Sequence, residues 1–130
     1  MVCSMSEEGN PRIIGVVGNC VAGKTTLVNS LKRCGFNAVN IAQEHSCVQR
    51  LWRRRNPTFL VCLSCTLETA KKRRSIYWGQ ERLDNQWQRL ADARQHCDLF
   101  LATDDLSIAD VLETVVQAVN AFTVSLDVRH

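Results

Sequence analysis

The stretch Arg12-Ile13-Ile14-Gly15-Val16-Val17-Gly18-Asn19-Cys20-Val21-Ala22-Gly23-Lys24-Thr25-Thr26-Leu27 carries three patterns in succession. From Arg12 to Gly18 the run is apolar over the length of one strand, without polar alternation, and such runs suit a strand covered on both faces, as in a parallel sheet. Gly18 to Thr25 then matches G-x-x-x-x-G-K-[ST] at every fixed position. Beyond it Leu27, Val28, Leu31 and Cys34 recur at helical spacing, and Gly35 stands where a helix commonly ends in a left-handed residue. The pattern predicts a helix over Lys24 to Cys34.

Strand, glycine loop and helix in this order make a nest for an anion. Glycines let the backbone turn sharply and approach a ligand, successive N–H groups point inward, and the helix start adds partial positive charge. The expected phosphate-binding residues are Gly18, Asn19, Cys20, Val21, Ala22, Gly23, Lys24, Thr25 and Thr26. Lys24 is placed to reach β and γ phosphates, and the Thr25 hydroxyl to ligate magnesium.

The rest of the chain repeats the alternation of strand and helix. Ala38 to Ala42 reads as a second strand, Val48, Leu51 and Trp52 as a short helix stopped by Asn56-Pro57, and Thr58 to Ser64 as a third strand. Thr66 is a helix cap ahead of Leu67 and Ala70, a break follows near Gly79, and Leu83, Trp87 and Leu90 mark another helix. Cys97 to Ala102 is a fourth strand. Ser107 with Asp110 forms a capping box for a closing helix whose apolar stripe is Ile108, Val111, Leu112, Val115, Val119 and Phe122. The expected architecture is a three-layer α/β/α sandwich with a short, mostly parallel sheet, in which ligands bind beyond the carboxyl ends of the strands. Residues 1–10 are expected to be a loose tail, 11–123 a single domain and 124–130 a C-terminal tail.

A chain of 130 residues with 45% apolar and 22% charged residues has the composition of one folded domain. The net charge is only +3, yet nine Lys or Arg fall between Arg50 and Arg82 against two acids, Glu68 and Glu81. That strip suits an anionic partner, either a small acceptor or a protein surface. No apolar run approaches the roughly eighteen residues needed to cross a bilayer, and Met1 to Pro11 lacks the pattern of a signal peptide, so a cytoplasmic location is expected. Seven cysteines scattered through predicted strands and helices argue against a disulfide framework.

With the loop, its flanks and the order of elements in view, the chain resembles the P-loop NTPase superfamily. Over Arg12 to about Phe122 it is most similar to the small-molecule kinase branch, such as nucleotide and nucleoside kinases. Besides the loop, the likeness rests on Pro57-Thr58-Phe59-Leu60-Val61-Cys62-Leu63-Ser64-Cys65-Thr66-Leu67-Glu68-Thr69-Ala70-Lys71-Lys72-Arg73-Arg74, which is similar to the strand and basic helix preceding the lid of those kinases. The resemblance implies a P-loop kinase-like fold, ATP and Mg²⁺ as ligands, and Arg73 and Arg74 as groups acting on the transferred phosphoryl group or the adenine end. Nucleic acid and membrane are not expected as partners, and a guanine-specific N-K-x-D element is missing after the later strands, which favours adenine.

One departure from that pattern matters. Many such kinases end an apolar strand in an Asp that organises magnesium, whereas Leu63-Ser64 ends this one in a serine. Glu44, after the second strand, is the best replacement as a base or magnesium organiser, with Asp104 and Asp105 as weaker choices. His45 is read as structural, and Arg53-Arg54-Arg55 as a solvated run. Cys62-Leu63-Ser64-Cys65 is a lone C-x-x-C and reads as packed thiols. Trp52, Trp78 and Trp87 fall at packing positions on helices. The expectation is a minimal kinase-like phosphotransferase whose catalytic residues are Lys24, Glu44, Arg73 and Arg74. The alternative is a nucleotide-binding regulatory protein that docks a partner and turns over little or nothing.

Overall fold

The apolar run at the start forms β1 (Ile13–Gly18), the strand from which the rest of the molecule is laid out. The computed structural model describes the backbone of residues 12–128, so the tail expected at 1–10 lies outside the described residues. After β1 come α1 (Lys24–Arg33), β2 (Asn37–Asn40), a 3₁₀ turn at Gln43–His45 and a second at Leu51–Arg55. There follow β3 (Phe59–Ser64), α2 (Leu67–Arg73), α3 (Gln80–Arg89), α4 (Ala91–His96), β4 (Leu99–Ala102) and α5 (Ile108–Val128).

The sheet has the order β2-β1-β3-β4, and every pairing is parallel. The chain moves one way from β1 to β2 and the other way from β3 to β4. With crossovers of a single hand, those opposite moves must put the connecting helices on opposite faces. They do so: Ile14, Val16, Val61 and Leu63 pack on one face with Leu27, Val28 and Leu31 of α1 and Val111, Val115 and Val119 of α5. Val17, Leu60 and Cys62 pack on the other with Trp52, Leu90 of the α3–α4 junction and Ala93 of α4. Both faces of β1 and β3 are thereby covered, which is why neither strand alternates polar with apolar residues.

Several boundaries differ from the expectation. The second strand ends at Asn40, two residues early, because the chain turns at Ile41, whose N–H still bonds Val16 O, into the 3₁₀ turn that follows. The fourth strand begins at Leu99, because the Asp98 carboxylate itself accepts the Leu60 N–H and stands in for a ladder bond. The helix expected around Leu83 to Leu90 is followed by a further helix, α4, that the sequence did not announce. The closing helix runs to Val128, five residues into the segment expected as a C-terminal tail. Both caps formed as expected: the Thr66 hydroxyl accepts from Thr69 N–H, and Ser107 and Asp110 exchange side-chain to main-chain bonds.

β1 and β3 are neighbours whose onward connections leave in opposite directions. The crevice at their carboxyl ends is the place where open parallel sheets bind ligands. Gly18 ends β1 there, and a Cβ on it would stand 2.5 Å from Leu63 O, so only glycine allows the two strands to pair at this point.

Candidate functional site

The loop from Gly18 to Gly23 leaves the carboxyl end of β1 and is held from behind by side chains. Asn19 is fully buried; its Oδ1 accepts from Cys65 N–H at 3.0 Å, and its Nδ2 donates to Cys20 O at 2.9 Å. Gln86 of α3, also buried, accepts from Cys20 N–H at 2.8 Å and donates to Cys20 Sγ at 3.1 Å. Thr103, after β4, donates from its hydroxyl to Ala22 O and Ser64 O. Buried polar groups of this kind are stable only when paired, and each pair fixes the loop at one more point.

Two loop residues take left-handed backbone, Val21 at φ 67° and Gly23 at φ 103°. Gly23 caps α1 without offering a side-chain acceptor, and a Cβ at that position would meet nothing within 4 Å. Cys20 N–H is taken by Gln86, and Ala22 N–H bonds Asn19 O at 3.2 Å. Among the described residues, no group accepts from the N–H of Val21, Gly23, Lys24, Thr25 or Thr26. Those amides, at the start of a ten-residue helix, are free donors in a positive field.

Lys24 reaches back over the loop and is buried. Its ammonium donates to Gly18 O at 3.1 Å, Asn19 O at 3.4 Å and Glu44 Oε2 at 2.7 Å. Glu44 is carried on the 3₁₀ turn after β2, only 3% exposed, and its Oε1 has no partner among the described residues. The turn is anchored by Gln43, whose side chain bonds Trp52 N–H, Val48 O and Arg89 O. The structure thus brings Glu44 and Lys24 together, as the strand-end position suggested.

Arg73 and Arg74 diverge. Arg73 donates to Val21 O at 3.0 Å, Thr103 Oγ1 at 3.1 Å and Thr103 O at 2.6 Å, so its guanidinium ties the loop to the end of β4. Arg74 is exposed at the rim of the same cleft. That cleft has a volume of about 770 Å³ and is bounded by residues 20–27, Glu44, the segment after α2 and the start of α5. Its polar floor faces an apolar wall that includes Ile76, Trp78, Leu106 and Ile108. Trp78 therefore belongs to the cleft as well as to the packing.

Other candidates fall elsewhere. Asp104 accepts from Thr66 N–H and from the hydroxyls of Thr66 and Thr69, which commits it to holding the start of α2 rather than to catalysis. Burial works against its ionisation, but those donors prevail and hold the carboxyl below the usual value. Asp105 is exposed and does not line the cleft. Cys62 and Cys65 are both buried; burial pushes the Cys62 thiol up to about 12 and raises Cys65, so neither is a reactive thiolate. His45, expected to be structural, instead projects at the mouth of the site with 58% of its side chain exposed, 3.4 Å from Glu44 Oε2 and 3.7 Å from Cys20 Sγ. Arg53, Arg54 and Arg55 stand just ahead of β3, at the amino edge of the sheet, away from the cleft.

Gln43, Gln86 and Thr103 are the residues that sequence reasoning missed. Gln86 had a signal, since it shares the buried face of its helix with Leu83 and Leu90. Thr103 had none, because its partners Ala22 and Ser64 lie far along the chain, and Gln43 bridges its own neighbourhood, at Val48 and Trp52, to the distant Arg89.

The fold and the site define an α/β protein with a glycine-bounded loop of free amides at the carboxyl edge of a parallel sheet. Compared with models of known families and with curated proteins, the chain matches none. No helix among the described residues is long and apolar enough to cross a membrane.

Proposed function

We propose that this chain binds ATP with magnesium and acts as a minimal kinase-like phosphotransferase of the P-loop NTPase fold, working on a small acceptor. The observation that carries the reading is a buried lysine beside a row of unpaired amides at the mouth of β1. A polyphosphate fits that arrangement: the N–H groups of Val21 and of residues 23–26 would take its oxygens, and Lys24 would exchange Glu44 Oε2 for the β and γ oxygens. Gly23 leaves the approach clear, since a side chain there would fill the cradle. The Thr25 hydroxyl, which accepts from Asn40 Nδ2 at 3.1 Å, would ligate magnesium.

Bound ATP and magnesium would supply the phosphoryl group and offset its charge; the chain's own part is positioning and proton transfer. Once Lys24 turns to the phosphates, Glu44 becomes an unpaired carboxylate at the cleft floor, suited to accept a proton from an acceptor hydroxyl. Arg74 at the rim is placed for developing charge, while Arg73 holds the loop in shape. The apolar wall offers an adenine a surface to lie against.

A second reading has its own support. Strand β3 ends in Ser64, a hydroxyl side chain where the resemblance leads one to expect the magnesium Asp. A regulatory protein that binds nucleotide without turnover would have that feature. Calorimetric titration of ATP, ADP and GTP, with and without magnesium, beside Lys24→Ala, tests the shared premise: ATP binding requires Lys24. Binding unchanged by the substitution removes both readings. ADP release in the presence of nucleosides, nucleotides and small metabolites selects the enzyme, and binding without release selects the regulator.

A further inference from the structure

Three side chains stand together beside the cleft: Cys20 and Glu44, which line it, and the exposed His45. Cys20 Sγ, a Glu44 carboxylate oxygen and His45 Nε2 all lie within 4.8 Å of one another. Cys20 comes from the loop after β1, while Glu44 and His45 come from the turn after β2, and the pairing of those strands brings them together.

Two observations say what the group is for. Glu44 is 3% exposed, and although Lys24 takes Oε2, Oε1 faces no donor among the described residues. A carboxylate oxygen withdrawn from water without a partner is costly, and a cation satisfies it. The second observation is the direction of His45. A histidine that relays a proton between an acid and a thiol uses one ring nitrogen for each. Here the same nitrogen, Nε2, faces Cys20 Sγ at 3.7 Å and Glu44 Oε2 at 3.4 Å. Convergence on one atom is the arrangement of ligands around a shared ion and does not suit thiol activation.

We propose that Cys20, Glu44 and His45 form a binding site for a divalent transition ion of the zinc class, with the fourth coordination position open to the cleft. One sulfur, one imidazole nitrogen and one carboxylate oxygen is a zinc donor set. Bond lengths of about 2.0–2.3 Å at a tetrahedral angle separate neighbouring ligand atoms by roughly 3.3–3.6 Å; His45 Nε2 lies 3.7 Å from Cys20 Sγ and 3.4 Å from Glu44 Oε2, so a bound ion draws on the carboxylate that Lys24 holds through Oε2 and that has Oε1 to spare. The Gln86 amide donates to Cys20 Sγ at 3.1 Å and fixes the direction of the sulfur, as groups behind metal ligands do. Ion binding takes the Cys20 S–H proton, which leaves to solvent, while the imidazole binds in its neutral form.

Glu44 also pairs with Lys24, so the test contains no nucleotide and reads ion binding apart from phosphate binding. Titrate the full-length protein, kept reduced, with Co²⁺ alone and record the absorption spectrum. The expected result is one equivalent bound, a thiolate-to-cobalt charge-transfer band with the d–d bands of tetrahedral coordination, and displacement by Zn²⁺. Cys20→Ser, which keeps an acceptor for Gln86, abolishes the charge-transfer band. His45→Gln alters an exposed side chain, leaves the circular dichroism unchanged and weakens binding at least tenfold. Failure to bind one equivalent, a charge-transfer band that survives Cys20→Ser, or unchanged affinity in His45→Gln each overturns the assignment.

Discussion

Two basic stretches of nearly the same composition meet opposite fates. Arg53-Arg54-Arg55 lies on a 3₁₀ turn just before β3 begins, and Lys71-Lys72-Arg73-Arg74 lies at the end of the helix just after β3 stops. One strand separates them, and that strand sends them to opposite edges of the sheet. At the amino edge, Arg53 rests on the Trp52 ring and its two neighbours are exposed. At the carboxyl edge, Arg73 donates to three acceptors on the Gly18–Gly23 loop and at the β4 end, and Arg74 lines the cleft. In a parallel sheet the direction of the strand, more than local charge, decides whether a basic run meets the site.

If the carboxyl edge is fixed by close fit, Gly18→Ala has the largest effect. The added Cβ would lie 2.5 Å from a strand carbonyl that cannot yield, so a loss of about 3 kcal/mol or more in urea unfolding is expected. Lys24→Ala comes next: with the charge removed from the floor of the cleft, ATP affinity falls by about 1.5–3 kcal/mol, read by calorimetry. Arg73→Gln loosens the loop from β4 and weakens ATP binding roughly tenfold, about 1.4 kcal/mol. Arg53→Ser, Arg54→Ser and Arg55→Ser together change unfolding free energy by no more than about 0.5 kcal/mol per site and leave ATP affinity within about twofold. A large affinity loss in the triple variant would break the contrast between the edges.

The pH dependence of α2 sharpens the same contrast, because Asp104 holds that helix at the carboxyl edge. Burial disfavours its charge, but Thr66 N–H and the two threonine hydroxyls outweigh burial and depress its pKa. A carboxyl whose folded value lies below the unfolded one, about 3.9, stabilises the protein above that pH and loses the contribution as pH falls through the folded value. Stability in urea should therefore drop more between pH 5 and pH 3 for the parent chain than for Asp104→Asn. Equal drops would show that the Asp104 contacts contribute nothing.

Much of the fold was legible because its signals are local. The unalternating run at Ile13 to Gly18, the caps at Thr66 and Ser107 and the stripe from Ile108 to Phe122 each depend on residues within a turn or two. The loop motif was legible for the same reason. Apart from the meeting of Glu44 with Lys24, which the strand-end position suggested, what escaped were contacts that cross the chain: Gln86 to Cys20, Thr103 to Ala22, and Arg73 to Val21. The approach of His45 to Cys20, twenty-five residues away in the chain, likewise had no local signal.

The sequence by itself determined the four strands, the first and closing helices and the glycine-bounded loop between β1 and α1, since hydrophobic period, cap chemistry and glycine placement act over a few residues. Tertiary structure alone decided which side chains stand behind that loop and that Arg73 ties it to the end of β4 while Arg74 stays at the rim. Those choices follow from strand order and from opposing crossovers, which bring together residues that no local pattern in the chain connects.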